Sequence, residues 1–368
     1  MQAQYQVKQV IERLGNTLET LNLNTWQLRT LRAIKHCRTL QLGGRIAQCD
    51  SCGKQHLFYN SCRNRHCPNC QGHKREQWIQ ARVAELMPVP YYHMVFTIPS
   101  HLNRLALHKP RLLYSILFKT AWATLNQFGQ QQGLQLGMIA VLHTWGQNLS
   151  LHPHLHCIVP SIGIDNKGKP KQAGKNATFL YAVKALSKVF RAKFIAELRA
   201  NNLGNQTLYD TLFNNSWVVY AKRPFAHPKR VIDYLGRYTH KIAISNQRLQ
   251  NINATHVSFS YKNYRQGVQR KVMQLSHQEF IRRFSQHILP KRFVRIRHYG
   301  MLSSSYKKEK LPKLQKALGV EPLSQSQTIT ILLGTCPTCK KGRLMVIMEF
   351  DSRGPPALGL IGNYTLAR

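Results

Sequence analysis

The chain has 368 residues, of which 43% are hydrophobic, so it can bury a sizeable core and is not disordered throughout. It holds 53 Lys and Arg against 14 Asp and Glu, a net charge of +39, which favours a polyanionic partner: a nucleic acid first, an anionic membrane surface as the alternative. Because no run of 18 apolar residues occurs and the N-terminus lacks the pattern of a signal peptide, we expect a cytoplasmic protein with no membrane partner.

The chain begins with an amphipathic helical segment. Apolar residues recur at helical spacing through residues 1–35, at Val7, Val10, Ile11 and Leu14 and again at Leu28, Leu31 and Ile34. Residues 36–73 then become rich in Cys, His, Asn and Gly, with little periodicity. Since such a stretch has almost no apolar core of its own, we expect it to fold around metal.

Two Cys-x-x-Cys pairs lie within this stretch, Cys49/Cys52 and Cys67/Cys70, separated by fourteen residues. Pairs at this spacing are typical of a four-thiolate zinc site in which each pair forms one knuckle. In a cytoplasmic protein, thiols in such pairs are metal ligands more often than disulfides. We therefore expect one structural zinc ion bound by these four cysteines, in a zinc-ribbon-like module that contacts DNA.

The remaining cysteines leave two questions open. Cys37, Cys62 and His66 are candidates for a second zinc site that needs one further ligand, and the alternative is a set of buried thiols with a surface imidazole. Near the C-terminus, Cys336-x-x-Cys339 has the spacing of half a zinc site but lacks a second pair beside it. This half-site either takes ligands from elsewhere in the chain or binds no metal.

From Pro88 onward, the hydrophobic pattern alternates between strands and helices and predicts an α+β domain. Strands are predicted at 93–98, 138–147, 154–164, 217–221, 241–245, 257–262 and 270–275, and helices at 112–131, 183–198, 228–239 and 277–288. The segments 138–147 and 154–164 are joined by a short polar connection, which indicates a hairpin. Residues from Asp351 onward are predicted to form a loose tail.

The predicted hairpin carries the sharpest chemical signal, the sequence His152-Pro-His154-Leu-His156. Alternate residues of a strand point to the same face, so His154 and His156 are placed to bind one divalent ion. His143 or Gln147 is expected to supply a third ligand, because those two residues share a face of the neighbouring strand. The alternative is a pair of histidines whose hydrogen bonds are satisfied within the core.

Acidic residues are scarce in this part of the chain. Only Asp165, Glu197 and Asp210 occur between residues 86 and 232. Enzymes that hold two metal ions for DNA cleavage generally use a cluster of carboxylates. If this chain cleaves DNA, we therefore expect residues other than carboxylates to hold the metal.

Two tyrosines share one face of the helix predicted over 228–239. Tyr234 and Tyr238 are four residues apart, which brings their side chains together, and Arg237 adds positive charge beside them. A phenol near a metal-activated phosphate can act as a covalent nucleophile. The alternative is a pair of amphipathic tyrosines at the edge of the core.

Taken together, these motifs resemble a known family, the rolling-circle insertion-sequence transposases of the IS91 type, within the HUH endonuclease superfamily. The matching stretches extend from about residue 28 to 302 and include Cys37-Arg-Thr-Leu-Gln-Leu-Gly-Gly, Tyr59-Asn-Ser-Cys-Arg-Asn-Arg-His-Cys-Pro-Asn-Cys, His143-Thr-Trp-Gly-Gln, His152-Pro-His-Leu-His-Cys, Tyr234-Leu-Gly-Arg-Tyr-Thr-His, Glu279-Phe-Ile-Arg-Arg-Phe and Arg295-Ile-Arg-His-Tyr-Gly.

The resemblance implies a mechanism. His154 and His156 would bind Mg²⁺ or Mn²⁺ at a phosphate of single-stranded DNA, and Tyr234 or Tyr238 would attack to leave a 5′-phosphotyrosine and a free 3′-hydroxyl. The second tyrosine would serve a second strand transfer, so cleavage and rejoining need no ATP. Related relaxases place the third histidine eleven residues before the pair, which corresponds to His143, and Gln147 is the competing choice.

The resemblance also implies a fold, in which a zinc-binding module precedes an HUH-type domain with a central antiparallel sheet flanked by helices. We accordingly expect a zinc-binding, DNA-binding domain over residues 1–85, a catalytic domain over 86–300 and a C-terminal region over 301–368. Two alternative functions remain: a replication initiator or relaxase with the same chemistry, and a zinc-dependent DNA-binding protein without catalysis.

Overall fold

A computed structural model describes residues 3–70, 78–79, 81–83, 85–174, 179–225, 236, 242–263, 267, 269–319, 334–355 and 365–366. The structure confirms an α+β fold in which helices flank antiparallel sheets. Within the described ranges, no helix is both long enough and apolar enough to cross a bilayer.

A five-stranded antiparallel sheet lies at the centre of the fold, in the order β12-β4-β5-β3-β8. Its strands are β3 (Tyr91–Thr97), β4 (Gly137–Trp145), β5 (Leu151–Pro160), β8 (Val219–Phe225) and β12 (Ile296–Gly300). The predicted hairpin is present as β4 and β5, with His143 opposite His154 and Val141 opposite His156. Two short strands, β6 (Ile162–Ile164) and β7 (Pro170–Gln172), form a separate ribbon after β5.

Helices cover one face of this sheet. They are α4 (Asn103–His108), α5 (Pro110–Gln130), α6 (Val183–Ala200) and α7 (Gln206–Asn214). Leu142 and Leu155 of the hairpin are fully buried in this layer, and the rings of Phe96 and Phe190 meet edge to face with centroids 5.0 Å apart. Burial of each such side chain stabilises the fold by about 1.5–3 kcal/mol, so the hairpin is held firmly from behind.

The opposite face of the sheet has an apolar part and a part that carries the histidines. Near the β12 side, Ile139 and Ile158 pack with Leu311 and Leu314 of α9 (Ser304–Ala317). Side chains two and four positions along the strands keep the same orientation. The histidines of β4 and β5 therefore lie on this face, at the end away from α9.

A second core joins the N-terminal helices to a three-stranded antiparallel sheet. The helices are α1 (Val7–Leu14), α2 (Thr17–Thr20) and α3 (Thr25–Lys35), and the sheet contains β9 (Leu249–Ile252), β10 (His256–Asn263) and β11 (Gln269–Ser276), followed by α8 (His277–Ser285). The predicted apolar stripe of α1 is buried against this sheet and α8. Side-chain caps fix two helix starts: Asn24 accepts from the Gln27 N–H and Ser276 from the Glu279 N–H.

A small four-stranded sheet brings the two ends of the chain together. Its order is β13-β1-β2-β14, with β1 (Gly44–Cys49), β2 (Gln55–Tyr59), β13 (Leu344–Phe350) and β14 (Thr365–Leu366). β13 pairs antiparallel with β1, from Gly44 opposite Phe350 to Cys49 opposite Leu344. A strand that follows the predicted catalytic domain in sequence is thus part of the zinc-module sheet.

One predicted strand, at 241–245, is wrong over its described residues, 242–245. Ile244 is buried in the second core, and the Asn246 side chain accepts a hydrogen bond from the Val7 N–H at the start of α1. These contacts tie the segment to a helix, and β9 begins only at Leu249. The helix predicted over 228–239 lies outside the described residues except for Gly236.

Candidate active site

Three histidines meet at one end of the β4–β5 hairpin. The nitrogen donors of His143 on β4 and of His154 and His156 on β5 lie within 4.8 Å of one another. His143 and His156 are buried, and His154 is half-buried. This is a ligand set for one divalent ion, and among the described residues it includes no carboxylate.

The hydrogen bond of His154 fixes which nitrogen of its ring can bind metal. Its Nδ1 lies 2.6 Å from the carbonyl oxygen of His152. A carbonyl only accepts, so Nδ1 carries the proton and donates it. Nε2 is then the unprotonated nitrogen that can act as a metal ligand, and in many metal-binding histidines the other ring nitrogen orients the ring in this way.

A fourth histidine, His93 on β3, orients His156 in the same manner. The Nε2 of His93 lies 2.9 Å from the Nδ1 of His156, and the two rings stack with centroids 5.1 Å apart. Burial, aided by the charge of Lys222, lowers the pKa of His93 to about 4, so it is neutral near pH 7. When a neutral His93 accepts from His156 Nδ1–H, Nε2 is the unprotonated ring nitrogen of His156, the one that can act as a metal ligand.

Sequence reasoning missed His93, although a signal was present. The strand is otherwise apolar or aromatic on both sides of this position, and His93 is only 3% exposed. A buried imidazole must find a polar partner. A histidine in an otherwise apolar strand therefore indicates that a polar group lies next to it in the core, and here that group is His156.

The turn of the hairpin is fastened by another buried histidine, His287. Its Nε2 donates to the Leu149 carbonyl at 3.2 Å, and its Nδ1 lies 3.2 Å from the Thr144 hydroxyl, which can donate to it. Trp145 contacts both histidines. Its ring stacks on His143 with centroids 4.5 Å apart and meets His287 edge to face with centroids 6.1 Å apart. The segment after α8 thus holds the residues next to His143 in place.

Acid is expected to destabilise the protein partly through His287. Burial lowers the pKa of His287 to about 4, below the value near 6.5 of an exposed imidazole. The unfolded chain therefore takes up this proton first, and the free energy of unfolding falls as pH drops from 6.5 to 4 and levels off below. The contribution is on the order of 3 kcal/mol.

Denaturant unfolding at pH 7 and pH 4.5 measures this effect in the parent protein and in His287→Gln. Glutamine can donate to the Leu149 carbonyl and accept from the Thr144 hydroxyl but does not titrate. The variant should lose less stability on acidification than the parent. Equal losses in the two proteins would contradict the assignment.

Gln147 does not occupy the position expected of it. β4 ends at Trp145, so Gln147 lies in the turn, and the predicted shared strand face with His143 is wrong. Its backbone carbonyl accepts a hydrogen bond from the Arg248 guanidinium, which fixes the turn there. His143, the other predicted candidate for third ligand, lies within the histidine group.

The predicted nucleophiles Tyr234 and Tyr238, and Arg237 between them, lie outside the described residues. Their segment follows β8 in the chain, and β8 pairs with β3, the strand that carries His93. The roles of these three residues stay predictions.

The structure corrects the grouping of the N-terminal cysteines. Cys67 and Cys70 lie with Cys37 and Cys62, all four sulfurs within 4.8 Å of one another. Cys37 Sγ is 3.6 Å and Cys62 Sγ is 3.7 Å from Cys70 Sγ. Cys37, which follows α3, and Cys67 are both buried in the second core. The segment that carries Cys67 therefore packs near the end of α3.

His66 is not among the donors of this cluster. Its Nε2 accepts a hydrogen bond from Arg65 Nε at 3.3 Å, and the ring is buried. Burial first, and then the charges of Arg65 and Arg295, lower its pKa well below the usual range. The expectation that His66 joins Cys37 and Cys62 is therefore wrong, and Cys67 and Cys70 complete that set.

Cys49 and Cys52 have different partners, at the other end of the chain. Their sulfurs group with those of Cys336 and Cys339, again within 4.8 Å of one another. The predicted site of Cys49 and Cys52 with Cys67 and Cys70 is thus two separate clusters. Two alternatives were open for Cys336-x-x-Cys339: ligands taken from elsewhere in the chain, or no metal. The structure favours the first, because Cys49 and Cys52 lie beside this pair.

Comparison with known proteins identifies the family. Residues 7–98 match the family model "Transposase zinc-binding domain" of the IS91 type, and residues 137–310 match the model "Putative transposase". The chain is 40% identical to "Putative transposase y4qJ" of Sinorhizobium fredii, over 95% of this chain and 97% of that protein. The chain belongs to the IS91-type transposases. It is also 29% identical to the transposase for insertion sequence element IS801 of Pseudomonas savastanoi, over 83% of this chain and 77% of that protein.

No solved structure matches the chain. The transposase model covers His143, His154 and His156, and the zinc-binding model covers Cys37, Cys62, Cys67 and Cys70. The family match and the cysteine clusters support structural zinc in this transposase. Its membership among transposases implies that it binds DNA.

Proposed function

We propose that this transposase nicks and rejoins single-stranded DNA at the ends of its element through a 5′-phosphotyrosine intermediate, as in rolling-circle transposition. His143, His154 and His156 would hold a catalytic Mg²⁺ or Mn²⁺, and Tyr234 or Tyr238 would be the nucleophile. The observation that carries the proposal is the convergence of the three imidazoles, with two of them oriented by hydrogen bonds from behind.

The neutral character of the ligands suits a phosphate substrate. A divalent ion bound here would polarise a non-bridging phosphate oxygen and stabilise the charge that builds up during cleavage. Imidazoles add no negative charge, and Lys222 near His93 adds positive charge. The +39 charge of the chain attracts the DNA backbone over a longer range.

The chemical step is a transesterification at phosphorus. The phenolic oxygen of Tyr234 or Tyr238 forms a bond to phosphorus while the bond to the 3′-oxygen of the preceding nucleotide breaks. That oxygen leaves as a 3′-hydroxyl after taking a proton, and Arg237 favours the phenolate because of its positive charge. Attack by a 3′-hydroxyl on the phosphotyrosine reverses these bonds and joins strands without an external energy source.

The proposed substrate is tested with labelled oligonucleotides that span an end of the element. The single strand should be cleaved in the presence of Mg²⁺ or Mn²⁺, and the same sequence in a fully paired duplex should remain intact. Binding to the single strand should weaken with salt, with a slope of about −0.7 per phosphate contacted. Cleavage of the duplex alone would overturn the proposal.

His93 is expected to act as a positioning residue in this reaction. His93→Ala removes the hydrogen-bond partner of His156 Nδ1, and loss of such a partner typically costs about 10–100-fold in metal affinity or activity. The concentration of Mn²⁺ at half-maximal nicking should therefore rise, with part of the effect recovered in His93→Gln. His108→Ala is the control, because His108 is exposed on α4. An unchanged metal requirement in folded His93→Ala would contradict this role.

A further inference from the structure

The cluster of Cys49, Cys52, Cys336 and Cys339 is not used by the proposed reaction and lies only partly within the matched zinc-binding domain, which ends at residue 98. Cys49 Sγ is 3.6 Å from Cys339 Sγ, and Cys52 Sγ is 3.8 Å from Cys336 Sγ. Four sulfurs bound tetrahedrally at about 2.3 Å from zinc would lie about 3.8 Å apart. A disulfide, at about 2.0 Å, fits none of these separations.

The backbone around both pairs has the form of zinc knuckles. The Cys52 N–H points to Cys49 Sγ at 3.4 Å, and the Gly342 N–H points to Cys339 Sγ at 3.3 Å. N–H donors of this kind stabilise thiolates, the form that binds metal. A Cβ on Gly342 would lie 2.3 Å from Cys49 Sγ, so only glycine allows the two knuckles to approach this closely.

The two knuckles are also tied to each other. The Asp50 N–H donates to the Arg343 carbonyl at 3.0 Å, and the Arg343 N–H donates to Asp50 Oδ1 at 2.7 Å. The pairing of β1 with β13 continues directly from this contact. This contact therefore joins residues 293 positions apart into one unit.

The apolar cluster behind the four thiols is small. Among the described residues, it consists of Ala47, Cys49, Cys336 and Leu344, packed with Phe58 and Cys339. On β13, Met345 is 62% and Ile347 is 44% exposed. Cysteines make up half of the buried residues in this cluster, and coordination of a structural metal by their sulfurs would stabilise it.

We propose that Cys49, Cys52, Cys336 and Cys339 form a second zinc site, shared between the two ends of the chain, that fixes β13 to the N-terminal sheet. The transposase would then bind two structural zinc ions, one in each four-cysteine cluster. This site is independent of the histidine centre, so its presence does not depend on the proposed nicking reaction.

Native mass spectrometry of the full chain counts the zinc ions directly. The parent protein should carry two, and Cys336→Ser/Cys339→Ser should carry one. Cys157→Ala should keep both, because Cys157 lies buried in β5, in the central sheet. Two zinc ions in the double variant, or a parent protein with one, would overturn the proposal.

Two measurements on the unmodified chain apply even if the double variant does not fold. In the zinc-loaded protein, all four cysteines should resist alkylation, and all should react after chelation. Hydrogen exchange in Leu344–Phe350 should accelerate on chelation, while exchange in Val183–Ala200, a helix that carries no proposed metal ligand, should not. Alkylation of Cys336 and Cys339 in the zinc-loaded chain, or unchanged exchange in β13, would contradict the shared site.

Discussion

Replacement of His143, His154 or His156 with alanine is expected to abolish metal-dependent nicking while single-stranded DNA binding persists. The three donors lie within 4.8 Å of one another and would act on one ion. Stabilisation by such an ion amounts to several kcal/mol, which corresponds to a loss of about 10³-fold or more in rate. Because the ligands act as a unit, the double variant His154→Ala/His156→Ala should be little worse than either single variant.

A nicking assay over a range of Mn²⁺ concentrations, with a parallel binding assay, measures these effects. Gln147→Ala is the matched variant, because Gln147 lies in the turn of the same hairpin and was the competing candidate for third ligand. It should keep the parent's metal requirement, whereas His143→Ala should not. Nicking that survives chelation, or a Gln147→Ala protein that behaves like His143→Ala, would be incompatible with the three-histidine site.

The second large effect is expected at the tyrosines. Tyr234→Phe and Tyr238→Phe each remove only a hydroxyl, so losses report chemistry and not packing. Each single variant can keep some nicking, since the other phenol is about one helical turn away in the predicted helix. The double variant should form no covalent adduct, and each single variant should fail to complete two successive strand transfers.

A denaturing gel of protein incubated with a labelled single strand shows the adduct as a band that survives denaturation. Tyr220→Phe is a suitable control, because Tyr220 lies on β8 and is 53% exposed. It should give the parent's yield of adduct. If the double variant still gives the band, the nucleophile is one of the other thirteen tyrosines of the chain or another residue.

The histidine centre could be predicted because its signal is local in sequence. His154 and His156 are two residues apart on one strand, and strand geometry alone places them on one face. His143 follows once the hairpin register is known, since it lies opposite His154. His93 comes from a strand that is distant in sequence, and only the sheet order β4-β5-β3 brings it beside His156.

The sequence predicts that these cysteines bind metal, but it does not predict which of them share a cluster. Spacing within a Cys-x-x-Cys pair specifies a knuckle, yet nothing in that spacing determines which two knuckles share a metal ion. The nearest pairs in sequence, Cys49/Cys52 and Cys67/Cys70, belong to different clusters because β13 inserts beside β1 and carries Cys336 and Cys339 with it. Such long-range pairing depends on the tertiary fold.

Helix α9 could not be predicted from local helix propensity. It runs from Ser304 to Ala317 with Pro312 inside it, and proline ordinarily breaks a helix interior. The buried contacts of Leu311 and Leu314 with the sheet hold the helix despite this local preference. Tertiary packing overrides propensity at this position.

The proposed phosphotyrosine intermediate can be located on the protein itself. The parent transposase is incubated with Mn²⁺ and a single strand that spans an element end, digested with protease and nuclease, and analysed by mass spectrometry. A nucleotide attached through its 5′-phosphate to Tyr234 or Tyr238, absent when His154 is replaced by alanine, is the predicted result. Cleaved DNA with free 5′-phosphate ends and no nucleotide on either tyrosine would rule out this intermediate.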